Sequence, residues 1–462
     1  MLVGRTLGLQ LATAGVTIVL ARLLTPADYG LFAIAVAVQL AGQRATELGL
    51  PAALIRLDDE PSQHLQAAVF GLMLAIAAIA ATLVLVVAFV VAPAVWGSSE
   101  ALEVIAVAIL AIPLYSARAT PVMLMERQLR FGRIAIVETV DTLVFNSFAV
   151  VAAIAGLGAF SLAGAVPAGG LIGLLVAWRL QRFALWPRID LTAIRPLIGF
   201  GAKVSTLQAI YLLKELGFVV LLTAVGGAAV AGFFSMAKRL FSFPIAVTTA
   251  VGRVSYPALA RDSAQRASRA VRLTGLIALA TALPLALVAG AAQPLVALLL
   301  GDRWLPTADI VVIGSIGMLL TASALSTLNS YELAEGRVAA PIASAIAEMV
   351  LLCGISAGLV DLIGATSVGI AVTVSAAVAT VVLAAGTDPL VRPALPPVLR
   401  TLAIGTAAAG AAQALQVSHD FAGLIVAVAC VAVVWTALES AFARTEMQEL
   451  IGLARPILRR GD

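Results

Sequence analysis

The sequence predicts an all-α polytopic membrane protein with about fourteen transmembrane helices, arranged as two six-helix lobes in a parallel pseudo-repeat plus two C-terminal helices. Three observations predict this class. Hydrophobic residues make up 61% of the chain and charged residues 12%, against about half and a quarter in soluble domains. Apolar stretches recur along the whole chain, and the positive charges fall in every second gap between them.

The apolar stretches give the order of the elements. A helix needs about 20 apolar residues to cross roughly 30 Å of hydrocarbon, and fourteen stretches reach that length. They lie near residues 6–24, 29–54, 64–93, 101–121, 133–156, 159–180, 199–225, 228–250, 270–299, 306–331, 338–360, 363–385, 396–417 and 421–442.

The positive charges predict the orientation. Of the 29 Lys and Arg, only Arg22 and Arg303 lie in the odd-numbered gaps, four more lie well within spans, and nearly all others occupy the even gaps and the two ends. By the positive-inside rule both termini face the cytoplasm of a bacterial inner membrane. The sequence pI of 9.4 then reflects loops near anionic lipid headgroups, so membrane lipid is an expected partner and nucleic acid is not.

A weak internal repeat predicts the domain organisation. Residues 27–35 resemble residues 229–237, the Trp-Gly pair at 96–97 corresponds to Leu-Gly at 300–301, and residues 135–140 resemble residues 345–350. Because six spans separate the two copies, both begin on the same side of the membrane, as in transporters with parallel repeats. We predict an N-terminal lobe at 1–195, a C-terminal lobe at 196–388, and helices 13 and 14 with a cytoplasmic tail at 389–462.

The segment between the first two spans reads as a tight corner. Thr25 is placed to cap the second helix, Pro26 to be its first residue, and Asp28 to accept hydrogen bonds from its exposed amides. The whole string, Arg-Leu-Leu-Thr-Pro-Ala-Asp-Tyr-Gly at residues 22–30, closely resembles the signature of the polysaccharide transporter family within the multidrug/oligosaccharidyl-lipid/polysaccharide exporter superfamily. Residues 254–259 (Val-Ser-Tyr-Pro-Ala-Leu) and 300–306 (Leu-Gly-Asp-Arg-Trp-Leu-Pro) add to the resemblance.

The resemblance implies a function. A member of this family flips undecaprenyl-diphosphate-linked oligosaccharide units from the cytoplasmic to the periplasmic leaflet by alternating access between two lobes. The flipped units are precursors of surface polysaccharides such as O-antigen, capsule or exopolysaccharide. The resemblance also implies the lipid-linked oligosaccharide as substrate, with a polysaccharide polymerase and chain-length machinery as partners.

Charges inside the predicted spans are the candidate site, since an ionisable group there costs roughly 2.5–3.5 kcal/mol and usually faces a cavity or a partner. Arg44, Lys214, Lys238 and Arg239 are candidates to bind the diphosphate, because Arg grips phosphate oxygens bidentately. Structural pairing with nearby acids such as Glu215 explains the same residues, and both interpretations stay open.

Three acids are candidates for ion coupling. Glu138 and Glu348 align in the repeat, and Asp141 lies one turn from Glu138. They could bind the proton or Na⁺ that drives the cycle. No other cofactor or metal is expected, since the two cysteines have no partner spacing.

Three other functions remain alternatives. A lipid II flippase shares the diphosphate-lipid substrate half, and a drug or small-molecule cation antiporter shares the helical plan. A membrane polysaccharide polymerase or glycosyltransferase would need a catalytic site in a large periplasmic loop, and the odd gaps are short; the 156–159 gap has no ionisable residue. The sequence therefore predicts a transporter and not an enzyme.

Overall fold

Helices make up almost all of the structure. The computed structural model describes residues 2–47, 61–96, 99–182, 186–260 and 266–442, and no strand occurs among them. The α-helices of these residues are α1 Leu2–Leu23, α2 Pro26–Glu47, α3 Gln63–Trp96, α4 Ser99–Ile109, α5 Ala111–Arg127, α6 Phe131–Ile154, α7 Ala159–Leu180, α8 Leu191–Ala260, α9 Arg266–Gly290, α10 Ala292–Leu299, α11 Leu305–Leu320, α12 Ser326–Ala334, α13 Ala339–Ile363, α14 Thr366–Gly386, α15 Leu395–Ala414 and α16 Phe421–Phe442. A π-helical segment, Thr321–Leu325, joins α11 to α12.

The predicted spans coincide with these helices wherever the structure describes them. Ten described helical stretches are long and apolar enough to cross a membrane, one of them being Leu212–Ile245 within α8. The predicted gap between the seventh and eighth spans lies inside α8, where Gly227 leaves the helical conformation with φ 77° and ψ 169°. The all-α polytopic class is confirmed.

The outer helix faces are apolar, as lipid contact requires. An 18-residue stretch within Gln63–Ala92 of α3 has a mean hydropathy of 3.0, and only 11% of its residues are buried inside the protein. Ile79, Phe89 and Val90 of α3 are each about two-thirds exposed. In water such a surface would drive aggregation, so α3 is built to face hydrocarbon.

The chain forms two compact units, residues 1–232 and 233–462. In the first unit Val219 of α8 joins a core with Ile34, Val104 and Ile112. The first part of α8 therefore packs with the helices that precede it. The predicted lobe boundaries at 195 and 388 stay a prediction.

The backbone conformation at helix ends shows the internal repeat more clearly than the residue types do. α5 ends with Leu129 at φ 53°, and α12 ends with Gly336 at φ 74°. Each end carries the same two backbone hydrogen bonds, from Leu129 to Glu126 and Arg130 to Met125, and correspondingly from residue 336 to 333 and 337 to 332. This is the Schellman pattern, and the equivalent residues are 207 positions apart.

The helices that follow also begin alike. Gly158 before α7 has φ 51° and ψ −132°, and Gly364 before α14 has φ 59° and ψ −136°. Three residues later a serine hydroxyl, of Ser161 or Ser367, donates to the glycine carbonyl at 2.6 Å. Both sites read Gly-Ala-x-Ser, and they are 206 positions apart.

These two markers correct the repeat register of α6 and α13. With a separation of 206–207 residues, Glu348 of α13 corresponds to Asp141 of α6, whereas the sequence alignment had paired Glu348 with Glu138. Glu138 corresponds instead to Ser344 or Ala345. The sequence alignment was wrong by about one helical turn, because one turn of an apolar helix resembles the next.

Two repeat-related glycines pack against backbone within the first unit. A Cβ on Gly30 of α2 would lie 1.7 Å from the carbonyl oxygen of Ala228, and one on Gly232 would lie 1.8 Å from that of Pro26. Since Gly30 corresponds to Gly232 and Pro26 to Ala228, the contact is symmetric under the repeat. The start of α2 crosses the segment after Gly227 at a distance that only glycine permits.

Candidate substrate and coupling-ion site

The corner before α2 has the predicted geometry. The Thr25 amide and hydroxyl both donate to the Asp28 carboxylate at 2.7 Å, and the Asp28 amide donates to the Thr25 hydroxyl at 3.2 Å. This reciprocal pair is a capping box, and α2 begins at Pro26. The conspicuous residues of this motif therefore fix a helix start.

The second family-like motif is also structural. Gly301 has φ 100° and turns the chain into a short 3₁₀ helix, Asp302–Trp304. Trp304 is completely buried, and its ring stands perpendicular to Phe233 at 6.2 Å between centroids. The tryptophan anchors the start of α11 in the second unit. In residues 254–259 the backbone is helical, and their side chains lie outside the described part of the structure.

The four predicted cations occupy different environments. Arg44 and Lys238 are exposed, while Lys214 and Arg239 are half-buried. Lys238 places its ammonium 5.9 Å from the ring centroid of Phe234, one turn earlier in α8. Lys214 belongs to the first unit and Lys238 to the second, so a shared cavity for these cations stays a prediction.

The clearest charged cluster of the first unit surrounds Asp141. Arg118 of α5 donates from Nη1 to Asp141 Oδ2 at 2.5 Å. The Tyr115 hydroxyl lies 3.3 and 3.4 Å from the two carboxylate oxygens. The Arg118 guanidinium also lies over the Tyr115 ring, 4.3 Å from its centroid. We call Tyr115, Arg118 and Asp141 the Arg118 cluster.

Glycines of α7 leave space for this cluster. A Cβ at Gly169 would lie 2.4 Å from Asp141 Oδ1, and one at Gly173 would lie 2.8 Å from Arg118 Nη1. A Cβ at Gly170 would contact the Tyr115 ring at 3.3 Å. Any larger residue at 169 or 173 would displace the charged groups, so three helices shape the cluster together.

Sequence reasoning missed Arg118. It lies inside the predicted span 101–121, three residues after Tyr115, and this position was the available signal. Asp141 was identified as a candidate, and the structure brings it to Arg118 from 23 residues away. The other two acids lie elsewhere: Glu138 is exposed on α6 and Glu348 is half-buried on α13. Ion coupling by the three acids stays a prediction.

Comparison with solved structures defines the class of the fold. The chain is similar to the lipid II flippase MurJ in an inward closed conformation, with a TM-score of 0.76 and 10% identity over 95% of this chain and 98% of that chain. An inward-facing multidrug resistance transporter of the MATE family, in the MOP superfamily, gives a TM-score of 0.52 and 16% identity over 86% and 95%. The eukaryotic MATE transporter AtDTX14 gives 0.50 and 13% over 84% and 88%. The protein thus has the multi-pass fold of MOP-superfamily transporters.

The family follows from sequence. Residues 19–309 match the model of a family described as "Polysaccharide biosynthesis protein". Because the match spans more than half of the chain, the protein belongs to this polysaccharide biosynthesis family. No curated protein matches the chain. The resemblance noted in the corner motifs is confirmed.

Proposed function

We propose that the protein is a flippase that moves undecaprenyl-diphosphate-linked oligosaccharide units across the bacterial inner membrane for assembly of surface polysaccharide. The observation that carries the proposal is the combination of the polysaccharide-family match over residues 19–309 with a whole-length fold similar to a lipid II flippase. The family description points to a glycan, and the similarity to a lipid II flippase points to a lipid-linked substrate. Alternating access moves the headgroup between leaflets.

The charges inside the spans support a diphosphate substrate. Arg44, Lys214, Lys238 and Arg239 are the proposed diphosphate-binding residues, and Arg118 adds another cation within the apolar spans. A guanidinium fork fits two phosphate oxygens, whereas an ammonium acts as a point charge.

The cycle needs a driving force, and we propose Glu348 as its first candidate. It occupies the repeat position of Asp141. Glu348 is half-buried within the apolar helix α13. A carboxylate in such a setting suits a proton or Na⁺. Glu138 and Asp141 are the further candidates.

Two related functions are weighed against this proposal. A lipid II flippase is favoured by the MurJ similarity, whose TM-score exceeds those of the MATE transporters. A drug antiporter is less favoured, since three of the five charges near mid-span in α8 and α13 are basic. The polysaccharide-family match over residues 19–309 is the reason for preferring the glycan flippase to both.

Deletion of the gene tests the function. We expect lipid-linked oligosaccharide units to accumulate in the cytoplasmic leaflet, together with loss of surface polymer, because the polymerase and chain-length machinery act on units already flipped. Lysis with accumulated lipid II would favour the first alternative. Normal surface polysaccharide with new sensitivity to cationic dyes would favour the antiporter.

A further inference from the structure

We propose that Arg118 is an additional diphosphate-binding residue and that Asp141 competes with the diphosphate for its guanidinium. The inference rests on the proposed function and concerns a step within it. In the state described here, Asp141 holds Arg118. Arrival of the diphosphate transfers the guanidinium to phosphate oxygens, and departure returns it to the carboxylate.

The pair lies deep in the membrane. Arg118 is nine residues from the end of α5, and Asp141 is ten residues from the start of α6. At 1.5 Å per residue both lie about 14–15 Å from the turn that joins these helices, which is half of a hydrocarbon core of roughly 30 Å. Charged groups at this depth face a partner, a water-filled space or a ligand.

The geometry leaves most of the guanidinium unused. Asp141 accepts from Nη1 alone, although a guanidinium has five N–H donors. Among the described residues Arg118 forms no other hydrogen bond. Its nitrogens that lack a hydrogen-bond partner are not fully buried. Its side chain is 18% exposed and that of Asp141 is 16% exposed. The spare donors therefore face accessible space at mid-membrane depth.

A purely structural pair would be built differently. A carboxylate and a guanidinium can form two parallel hydrogen bonds, and this arrangement satisfies more of both groups. Here the Tyr115 hydroxyl lies almost equally far from the two carboxylate oxygens, and the guanidinium rests on the same tyrosine ring. Tyr115 thereby holds Arg118 in place while its free edge stays open to an anion.

Within the described part of the chain, few other charged groups lie where they could pair with Arg118. α7 faces the pair with Gly169 and Gly173, which carry no charge. On α6, Glu138 lies about one turn from Asp141 and is exposed. The competing groups are thus Asp141 and whatever anion enters the space.

Binding of farnesyl diphosphate to the purified full-length protein tests the proposal. Asp141→Asn should bind this probe more tightly than wild type, because the competing carboxylate is gone. Arg118→Gln should bind about tenfold more weakly, the loss of one charge-assisted contact. Arg118→Lys should lie between, since an ammonium cannot form the fork. Glu103→Gln and Arg130→Gln, at exposed sites on α4 and after α5, are the matched controls and should bind as wild type does.

The proposal is supported if the affinity for farnesyl diphosphate rises in Asp141→Asn and falls in Arg118→Gln. Loss of a purely structural pair would weaken binding in both variants. Weaker or unchanged binding in Asp141→Asn overturns the proposal. If Asp141→Asn does not accumulate, Asp141→Ser tests the same point. If neither variant accumulates but the Arg118→Gln/Asp141→Asn double variant does, the two residues form a structural pair, and the proposal is also overturned. Absence of binding in wild type would instead count against the proposed function.

Discussion

Cations within the spans occur in two settings. Arg118 is held by Asp141 and Tyr115 of its own unit. Lys238 and Arg239 lie side by side on α8, and Lys238 contacts the ring of Phe234. The first setting is a paired charge with spare donors, and the second concentrates two positive charges on one helix. Different mutational patterns are expected from each.

If Lys238 and Arg239 bind the diphosphate as proposed, neutralising either one should abolish flipping while the protein accumulates at normal levels. Arg239→Lys should keep part of the activity, since it preserves charge but not bidentate geometry. Lys214→Ala should be similarly defective. Flipping of the lipid-linked oligosaccharide and protein level are measured together in each variant.

A double-mutant cycle provides the control for these cations. If they are structural partners of Glu215 or Glu348, single neutralisation leaves an uncompensated charge and lowers the protein level. Joint neutralisation of both partners would then restore level and activity. That rescue would remove Lys214, Lys238 and Arg239 from the binding site.

Leu129 offers a test of backbone strain at a single residue. Its positive φ of 53° occurs where the equivalent helix end carries Gly336. A left-handed conformation costs a non-glycine residue roughly 1–2 kcal/mol. Leu129→Gly should therefore raise the melting temperature in detergent, and Gly336→Leu should lower it. A decrease for Leu129→Gly would show that the exposed leucine contributes more than the strain it carries.

At the level of helices, the glycine contact between α2 and the segment after Gly227 decides how closely they approach. Gly30 and Gly232 each meet a backbone carbonyl at less than 2 Å from an added Cβ. Interior backbone cannot move aside as a flexible side chain can. The symmetric position of both residues in the repeat predicts that they tolerate substitution equally poorly.

Alanine at Gly30 or at Gly232 should lower the melting temperature by similar amounts. Gly217→Ala is the matched control, since a Cβ at this α8 position meets nothing within 4 Å, and alanine gains about 1 kcal/mol over glycine in a helix interior. The melting temperature in detergent should thus fall for Gly30→Ala and Gly232→Ala and rise for Gly217→Ala. Equal behaviour of all three variants would contradict the close crossing.

For the whole molecule, orientation in the membrane is the property that the charge pattern predicts. The even gaps carry the positive charge, and the structure adds which loop residues can be reached. Leu157, between α6 and α7, is 51% exposed. Ser161 is fully buried and bonded to Gly158, so it cannot report on accessibility. Ser98 and Ser263, the serines that the gaps after the third and eighth spans offer for labelling, lie outside the described residues.

A single cysteine at Leu157 should react with an impermeant thiol reagent added to intact spheroplasts, and one at Arg337 should react only after lysis. Both variants are made after replacing Cys353 and Cys430 by serine. Leu157 lies in an odd gap and Arg337 in an even gap, so the positive-inside rule gives them opposite sides. Labelling of Arg337→Cys in sealed spheroplasts would reverse the topology.

The sequence by itself determined the helical class, the order of the apolar spans, the corner at Thr25–Asp28 and the family, because these depend on local composition and on contacts within a few residues. Tertiary structure alone decided the pairing of Arg118 with Asp141, the space left by Gly169 and Gly173, and the correspondence of Glu348 with Asp141. Those features join residues far apart in the chain. In membrane helices built from few apolar residue types, a shift of one turn leaves the sequence pattern almost unchanged while it moves every charge by about 5.4 Å.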